Sequence, residues 1–110
     1  ITKVVVDKSS SALYFSKAMI PWDRDDTIQN SPVDPLKPFW YKHIGLYAYR
    51  KNFLMKFASL PISGLEQIEK LEQLRILDNG YKIKVVETKL DSIGVDCEED
   101  LVMLEKRLAV

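Results

Sequence analysis

The sequence predicts a single α/β domain in which helices cover a layered sheet. Its 110 residues are enough for one small domain and too few for two. Short segments rich in β-branched and aromatic residues alternate with segments of helical periodicity, which is the pattern of an α/β fold. The predicted order is β-β-loop-β-α-α-β-α. The hydrophobic content of 46% and the charged content of 29% are ordinary for a globular protein.

Four segments carry the strand signal of β-branched and aromatic residues. They are Thr2–Asp7, Ala12–Ser16, Phe39–Arg50 and Tyr81–Thr88. The first two are separated by a short polar turn, which predicts a hairpin. In the third and strongest strand, alternation places His43, Gly45 and Tyr47 on one face.

Three segments carry helical spacing, and the middle one has clear start and stop signals. The helices are predicted at Lys51–Ser59, at Gly64–Asp78 and from Asp96 onward. Ser63 and Glu66 form a capping-box pattern, and Asn79-Gly80 is a stop signal. The middle helix should bury one apolar stripe, made of Leu65, Ile68, Leu71 and Leu74. The last helix should pack through Leu101, Leu104 and Leu108.

The overall charge and the apolar runs exclude several classes of partner. Sixteen basic and sixteen acidic residues give no net charge, which argues against a nucleic-acid or anionic-membrane surface. No apolar run approaches the length of about 18–20 residues that a membrane span needs. The single cysteine, Cys97, allows no internal disulfide and suits the reducing cytoplasm. The four glycines form no phosphate-binding loop.

The chain opens almost directly into a strand and has no initial methionine. We therefore expect a piece of a longer chain, the alternative being a processed small protein.

Two pairs of polar residues are candidates for ligand binding. His43 and Tyr47 stand on either side of Gly45, and the gap between them would fit a ligand hydroxyl or carboxylate. The alternative is a histidine that a backbone group satisfies, with the glycine relieving a crowded sheet. Glu72 and Gln73 flank the apolar stripe of the middle helix, where a carboxylate could hold a sugar hydroxyl. The alternative there is a solvated helix face.

Two further charged residues are candidates for binding an anionic substrate or its metal ion. Arg24 follows Trp22 at the start of a long irregular loop, Asp23–Pro38, and its guanidinium suits a carboxylate or a phosphate. The alternative is a loop that is simply solvated by charge. Asp96 is well placed to cap the last helix. It is also a hard oxygen ligand for Mg²⁺, which proteins commonly hold with one or two carboxylates plus substrate phosphate. One carboxylate oxygen could cap while the other coordinates.

Four blocks of residues, in this order, carry a resemblance to a known family. The blocks are Tyr14–Asp25 (YFSKAMIPWDRD), Lys42–Arg50 (KHIGLYAYR), Leu71–Arg75 (LEQLR) and Gly94–Asp96 followed by Glu99–Leu101. Together they resemble 3-deoxy-manno-octulosonate cytidylyltransferase, also called CMP-Kdo synthetase. The resemblance covers only the C-terminal part of that enzyme. It implies that residues 1–110 are the sugar-binding and dimerisation half of one cytidylyltransferase domain, without the N-terminal nucleotide-binding half. The implied fold is the C-terminal half of a three-layer nucleotidyltransferase-type (Rossmann-like) sheet.

The resemblance implies a Mg²⁺-dependent reaction in which CTP and Kdo give CMP-Kdo and pyrophosphate for lipopolysaccharide synthesis. The enzyme would be a cytoplasmic homodimer that uses neither nucleic acid nor membrane, and this fragment alone would be inactive. Two positions depart from the family pattern. Lys17 stands where the family usually has arginine, and Cys97-Glu98 stands where it has Thr-Pro.

The resemblance also assigns roles to the candidate residues. Asp96 would be the metal ligand and, with Arg24, would act in catalysis. The sugar site would be formed by Arg24, His43, Tyr47, Glu72 and Gln73. Two other functions stay open. One is a cytidylyltransferase for another acidic sugar, such as a sialic acid or 8-amino-Kdo. The other is a non-catalytic dimerisation module.

Overall fold

A three-stranded antiparallel sheet forms the centre of the protein. The computed structural model describes residues 1–26, 39–90 and 97–108. The strands are β1 (Lys3–Val6), β2 (Ala12–Ser16) and β3 (Tyr41–Lys42), in the order β2-β1-β3. Val4 of β1 lies opposite Phe15 of β2 on one side and Tyr41 of β3 on the other. The predicted hairpin between the first two strands is confirmed.

The third predicted strand is much shorter than Phe39–Arg50. Only Tyr41–Lys42 is a strand, and residues 43–50 have no regular structure. Gly45 has a φ of +85°, a left-handed conformation that glycine adopts readily and that a strand does not contain. The strand therefore does not continue through Gly45, and the prediction of one long strand was wrong.

The fourth predicted strand, Tyr81–Thr88, runs beside β2 without becoming a regular strand. The amide of Ala12 donates to the carbonyl of Ile83 at 2.8 Å, and the amide of Val85 donates to the carbonyl of Ser10 at 2.7 Å. Only one isolated bridge, between Ser11 and Lys84, is formed. The predicted strand is therefore not formed, although these hydrogen bonds hold the segment beside the hairpin.

The helices follow the predicted order, except that the middle helix is broken in two. They are α1 (Lys51–Ser59), α2 (Gly64–Glu69), α3 (Leu74–Asp78) and α4 (Glu98–Leu108). Lys70 has φ 57° and ψ 40°, so it ends α2 in the left-handed region. The capping box of Ser63 and Glu66 is confirmed.

The break at Lys70 divides the predicted apolar stripe. Leu71 and Leu74 are 9% and 0% exposed and pack in the core, together with residues of the sheet: Val4, Ala12 and Phe15. Ile68, by contrast, is 81% exposed. A single helical phase cannot describe residues on both sides of the break, which is why the prediction was wrong for this side chain.

Helix α4 buries none of its residues against the rest of the described chain. Leu101 and Leu108 are 45% and 72% exposed, so the predicted packing of this helix is not found. Asp96, the predicted opening residue, lies outside the described residues, as does most of the predicted loop Asp23–Pro38. Within the described ranges, no helix is long and apolar enough to cross a membrane.

Candidate functional site

An open cleft of about 260 Å³ lies where the segment after β3 meets α1 and the start of α3. It is lined by Gly45, Tyr47, Tyr49, Phe57, Glu72 and Gln73. Three of the predicted sugar-site residues, Tyr47, Glu72 and Gln73, are thus brought together from separate parts of the sequence. The structure supplies a concave site with polar groups on aromatic walls, the usual character of a small-molecule site.

The fourth predicted residue, His43, reaches the cleft through Tyr47. Its Nε2 atom lies 2.7 Å from the Tyr47 hydroxyl oxygen, which is a hydrogen bond. The two side chains therefore touch, and the glycine does not leave an empty gap between them as the sequence suggested. A Cβ at Gly45 would lie an ordinary 3.6 Å from His43 Cε1, so the positive φ, and not space, is what favours glycine here.

Burial sets the protonation states of this pair. Desolvation lowers the pKa of the His43 imidazole below its usual value. Desolvation, and then the neighbouring Tyr49, raise the pKa of the Tyr47 phenol. Near neutral pH the imidazole is therefore uncharged and the phenol keeps its proton. Whichever group donates in the bond between them, the Tyr47 oxygen keeps a lone pair that can accept a hydrogen bond from a ligand hydroxyl.

The opposite wall of the cleft carries an acid and an amide at the start of α3. Gln73, the residue before α3, is only 8% exposed, and its Nε2 atom has no hydrogen-bond partner among the described residues. A buried amide donor without a partner is costly, and a ligand oxygen in the cleft would satisfy it. Glu72 is exposed, and after desolvation its charge is the second cause that raises the pKa of the Tyr49 phenol. The wall thus offers both a donor and an acceptor.

Arg24 lies on an exposed turn after β2, and it is not among the residues that line the cleft. The amide of Asp26 donates to the carbonyl of Asp23 at 3.3 Å and closes this turn. Trp22, beside it, is 79% exposed. The predicted role of Arg24 at the sugar therefore stays a prediction.

The predicted metal ligand, Asp96, lies outside the described residues. Among the residues that the structure does describe, no three His, Cys, Asp or Glu side chains come together as a metal site would require. Because Mg²⁺ is commonly held by only one or two carboxylates plus substrate phosphate, the role of Asp96 stays a prediction.

Two residues of the cleft, Tyr49 and Phe57, were not singled out from the sequence. Their rings lie 6.1 Å apart at an interplanar angle of 13°, and Tyr47 lies 5.9 Å from Tyr49 at 16°. Phe57 lies in α1, where its spacing indicates a helix and carries no sign of a ligand site. The density of aromatic residues between positions 39 and 57 was the available signal.

Comparison with known proteins identifies the family. The family model described as Cytidylyltransferase matches residues 2–83. Relatives named 3-deoxy-manno-octulosonate cytidylyltransferase from Syntrophotalea carbinolica and Thermodesulfovibrio yellowstonii are 55% and 52% identical over 98% of this chain, and over 43% and 41% of their own. A relative from Shewanella baltica, named 8-amino-3,8-dideoxy-manno-octulosonate cytidylyltransferase, is 49% identical over 98% of this chain and 40% of its own. The chain belongs to the cytidylyltransferase family.

A solved structure supports the same relationship at the level of the fold. It is CMP:2-keto-3-deoxy-manno-octonic acid synthetase complexed with CTP, with a TM-score of 0.78 and 37% identity. The alignment covers 98% of this chain and 41% of that one. The predicted α/β fold and the resemblance stated from the sequence are therefore confirmed. The chain spans about two fifths of the length of the curated relatives it matches.

Proposed function

We propose that this chain forms the sugar-binding part of a 3-deoxy-manno-octulosonate cytidylyltransferase. In the proposed reaction, the anomeric hydroxyl oxygen of Kdo attacks the α-phosphorus of CTP. The bond to pyrophosphate breaks, the hydroxyl proton is released, and CMP-Kdo is formed. The observation that carries the proposal is the convergence of Tyr47, Glu72 and Gln73 on one cleft, with His43 bonded to Tyr47. The names of the relatives and of the solved neighbour support it.

The described residues would act by binding and orienting the sugar. Tyr47 would accept a hydrogen bond from one sugar hydroxyl, and the carboxylate of Glu72 would accept from another. The amide of Gln73 would donate to a sugar oxygen. The aromatic walls would contact the apolar C–H faces of the sugar, as in other mixed polar and apolar ligand sites. Holding the attacking hydroxyl in one place lowers the entropic part of the barrier.

Two charged residues complete the proposal. Arg24 would pair with the sugar carboxylate or a neighbouring substrate charge, because its planar guanidinium matches such groups. Asp96 would be a ligand of Mg²⁺, with phosphate oxygens completing the coordination. When bound, the metal would neutralise charge on the triphosphate.

The proposal also covers the cellular location and the oligomeric state of the enzyme. We place it in the cytoplasm as a homodimer that supplies CMP-Kdo for lipopolysaccharide synthesis. Large apolar side chains that the described chain leaves in water, such as Leu46 at 90% exposure, support a covering partner surface. A second copy or the rest of a longer polypeptide would provide it.

The test uses the complete polypeptide that contains these 110 residues. Incubated with CTP, Kdo and Mg²⁺, it should release pyrophosphate and form CMP-Kdo. Arg24→Ala and Glu72→Ala should each lower kcat/KM for Kdo at least tenfold, the effect of about 1.4 kcal/mol. Glu87→Ala, at an exposed acid outside the cleft, should leave it unchanged. Full activity in the Arg24 and Glu72 variants would instead indicate that this half is a dimerisation module.

The 8-amino analogue of Kdo is the second candidate substrate. The Shewanella baltica relative, at 49% identity, is named for the 8-amino sugar. Measuring kcat/KM for Kdo and for 8-amino-Kdo in the same preparation decides between them. A higher value for the 8-amino sugar would replace Kdo as the substrate in this proposal.

A further inference from the structure

An ion pair lies directly behind the aromatic wall of the cleft. The Nε and Nη2 atoms of Arg75 donate to the two carboxylate oxygens of Glu66, at 2.6 and 2.7 Å. Such a two-point contact fixes the plane of the guanidinium as well as its position. The side chains of Arg75 and Glu66 are only 16% and 10% exposed, so solvent has little access to the pair.

The carboxylate of Glu66 is itself held in place by the start of α2. It accepts a hydrogen bond of 3.0 Å from the amide of Ser63, and the Ser63 hydroxyl donates to Asp78 of α3 at 2.6 Å. Glu66 belongs to α2 and Arg75 to α3. The pair therefore joins the two helices on either side of the break at Lys70.

The guanidinium contacts the cleft through Phe57 of α1. Its Cζ atom lies 5.2 Å from the centre of the Phe57 ring, a distance typical of a cation–π contact. Phe57 lines the cleft and is stacked with Tyr49, another lining residue. Contacts thus run from Glu66 through Arg75 to the cleft wall, although neither charged residue lines the cleft itself.

We propose that Glu66 and Arg75 are positioning residues of the sugar cleft. By holding Phe57 against Tyr49, the pair fixes the aromatic wall and so sets the affinity for the acidic sugar without touching it. This inference rests on the proposed function of the cleft. A plain structural role predicts loss of stability alone, whereas a positioning role predicts a specific loss of sugar affinity.

The experiment measures steady-state kinetics of the complete polypeptide with CTP and Kdo. Arg75→Met removes the charge and the fork but keeps an unbranched apolar side chain. It should raise KM for Kdo about tenfold, because the binding of Kdo is weakened. The value of kcat and the KM for CTP should change less than about twofold. Arg75→Lys keeps the charge without the planar fork and should give an intermediate KM.

Two matched controls separate position from stability. Lys56 lies 5.1 Å from the ring centre of Tyr81, a comparable contact to a ring that does not line the cleft. Lys56→Met should leave KM for Kdo unchanged. Val4→Ala removes core packing in β1, away from the cleft, and should lower the melting temperature without changing KM. The inference is overturned if Arg75→Met keeps the original KM, or if Lys56→Met raises KM equally.

A measurement without substrate separates this inference from the proposed function. The nuclear Overhauser contact between the ring protons of Phe57 and Tyr49 reports the wall directly in protein with labelled aromatic residues. Arg75→Met should weaken this contact, and Lys56→Met should not. If the original protein shows no turnover and Arg75→Met still weakens the contact, the proposed function fails and the positioning of the wall stands. If turnover is normal and the contact is unchanged in Arg75→Met, the inference fails.

Discussion

The hydroxyl oxygen of Tyr47 lies 2.7 Å from Nε2 of His43, so these two side chains form one hydrogen-bonded unit on either side of the left-handed Gly45. Burial lowers the pKa of the His43 imidazole, so the ring is neutral near pH 7, and the Tyr47 oxygen keeps a free lone pair. The unit therefore presents an oxygen acceptor to the cleft. The Tyr47 hydroxyl and the protonation of His43 can be tested by separate substitutions.

Removal of the Tyr47 hydroxyl should weaken sugar binding. Tyr47→Phe deletes the acceptor and leaves Nε2 of His43 without its partner, a loss of about 1–2 kcal/mol and hence roughly a five- to thirtyfold rise in KM for Kdo. Steady-state kinetics of the complete polypeptide provide the measurement. Tyr81→Phe, in the same aromatic cluster but outside the cleft, should have no such effect. An unchanged KM in Tyr47→Phe would exclude this hydroxyl from the sugar site.

Stability should fall in mild acid because of His43. Its folded-state pKa lies below the unfolded value of about 6.5. As the pH falls through that value, the unfolded chain takes up a proton that the folded chain resists, so the free energy of unfolding decreases until the folded pKa is reached. Urea unfolding between about pH 8 and 5 measures this decrease. His43→Gln should show a smaller decrease over the same window. Parallel curves for the two proteins would contradict the prediction.

Alanine substitutions at two aliphatic positions of the same predicted stripe should differ sharply in their effect on the free energy of unfolding. Leu74 is fully buried, and Leu74→Ala should lower the free energy of unfolding by about 2–5 kcal/mol. Ile68 is 81% exposed, and Ile68→Ala should change it by less than about 0.5 kcal/mol. Denaturant unfolding of both variants in the complete polypeptide provides the comparison. Similar losses would mean that a partner surface covers Ile68.

Asp96 should determine the dependence on magnesium. Asp96→Asn keeps the size and shape of the side chain but removes its negative charge, so activity should fall by roughly a hundredfold or more and require more Mg²⁺. Glu99→Gln, at an exposed acid of α4, is the matched control and should retain activity. Pyrophosphate release at increasing Mg²⁺ concentrations gives both values. An unchanged magnesium dependence in Asp96→Asn would remove this residue from the proposed site.

The isolated 110 residues should not turn over CTP. They offer polar groups for a sugar but lack a glycine-rich phosphate loop. Formation of CMP-Kdo is measured with the purified chain and, as a positive control, with the complete polypeptide. Product formed by the chain alone would show that the nucleotide site is already present in these residues.

Local signals in the sequence predicted much of the fold. The hairpin follows from two short strands and a polar turn, and the start of α2 follows from the Ser63 and Glu66 capping pattern. These features depend on residues close together in the chain. The left-handed conformation of Gly45 was missed because side-chain alternation in the sequence continues through it. The left-handed Lys70 was missed because lysine carries no signal for that conformation.

The candidate site was predicted less completely than the fold. Tyr47, Glu72 and Gln73 were singled out, and the structure brings them to one cleft. Their spacing in the sequence could not show that they meet, because the meeting depends on how α1 and α3 pack. Phe57 was missed for the same reason, because its helical spacing does not show whether it lies in the core or lines a cleft. Arg24 does not line this cleft and Asp96 lies outside the described residues, so their roles stay predictions.

The left-handed residue between α2 and α3 has a consequence for engineering. A redesign that treats residues 64–78 as one continuous amphipathic helix would fill the segment with strong helix formers and straighten it. Side chains after Lys70 would then rotate about a different axis, carrying Glu72 and Gln73 away from their present wall. Higher thermal resistance gained in this way would come at the expense of ligand recognition. Glycine at position 70 is the safer choice, because it relieves the backbone while keeping the bend.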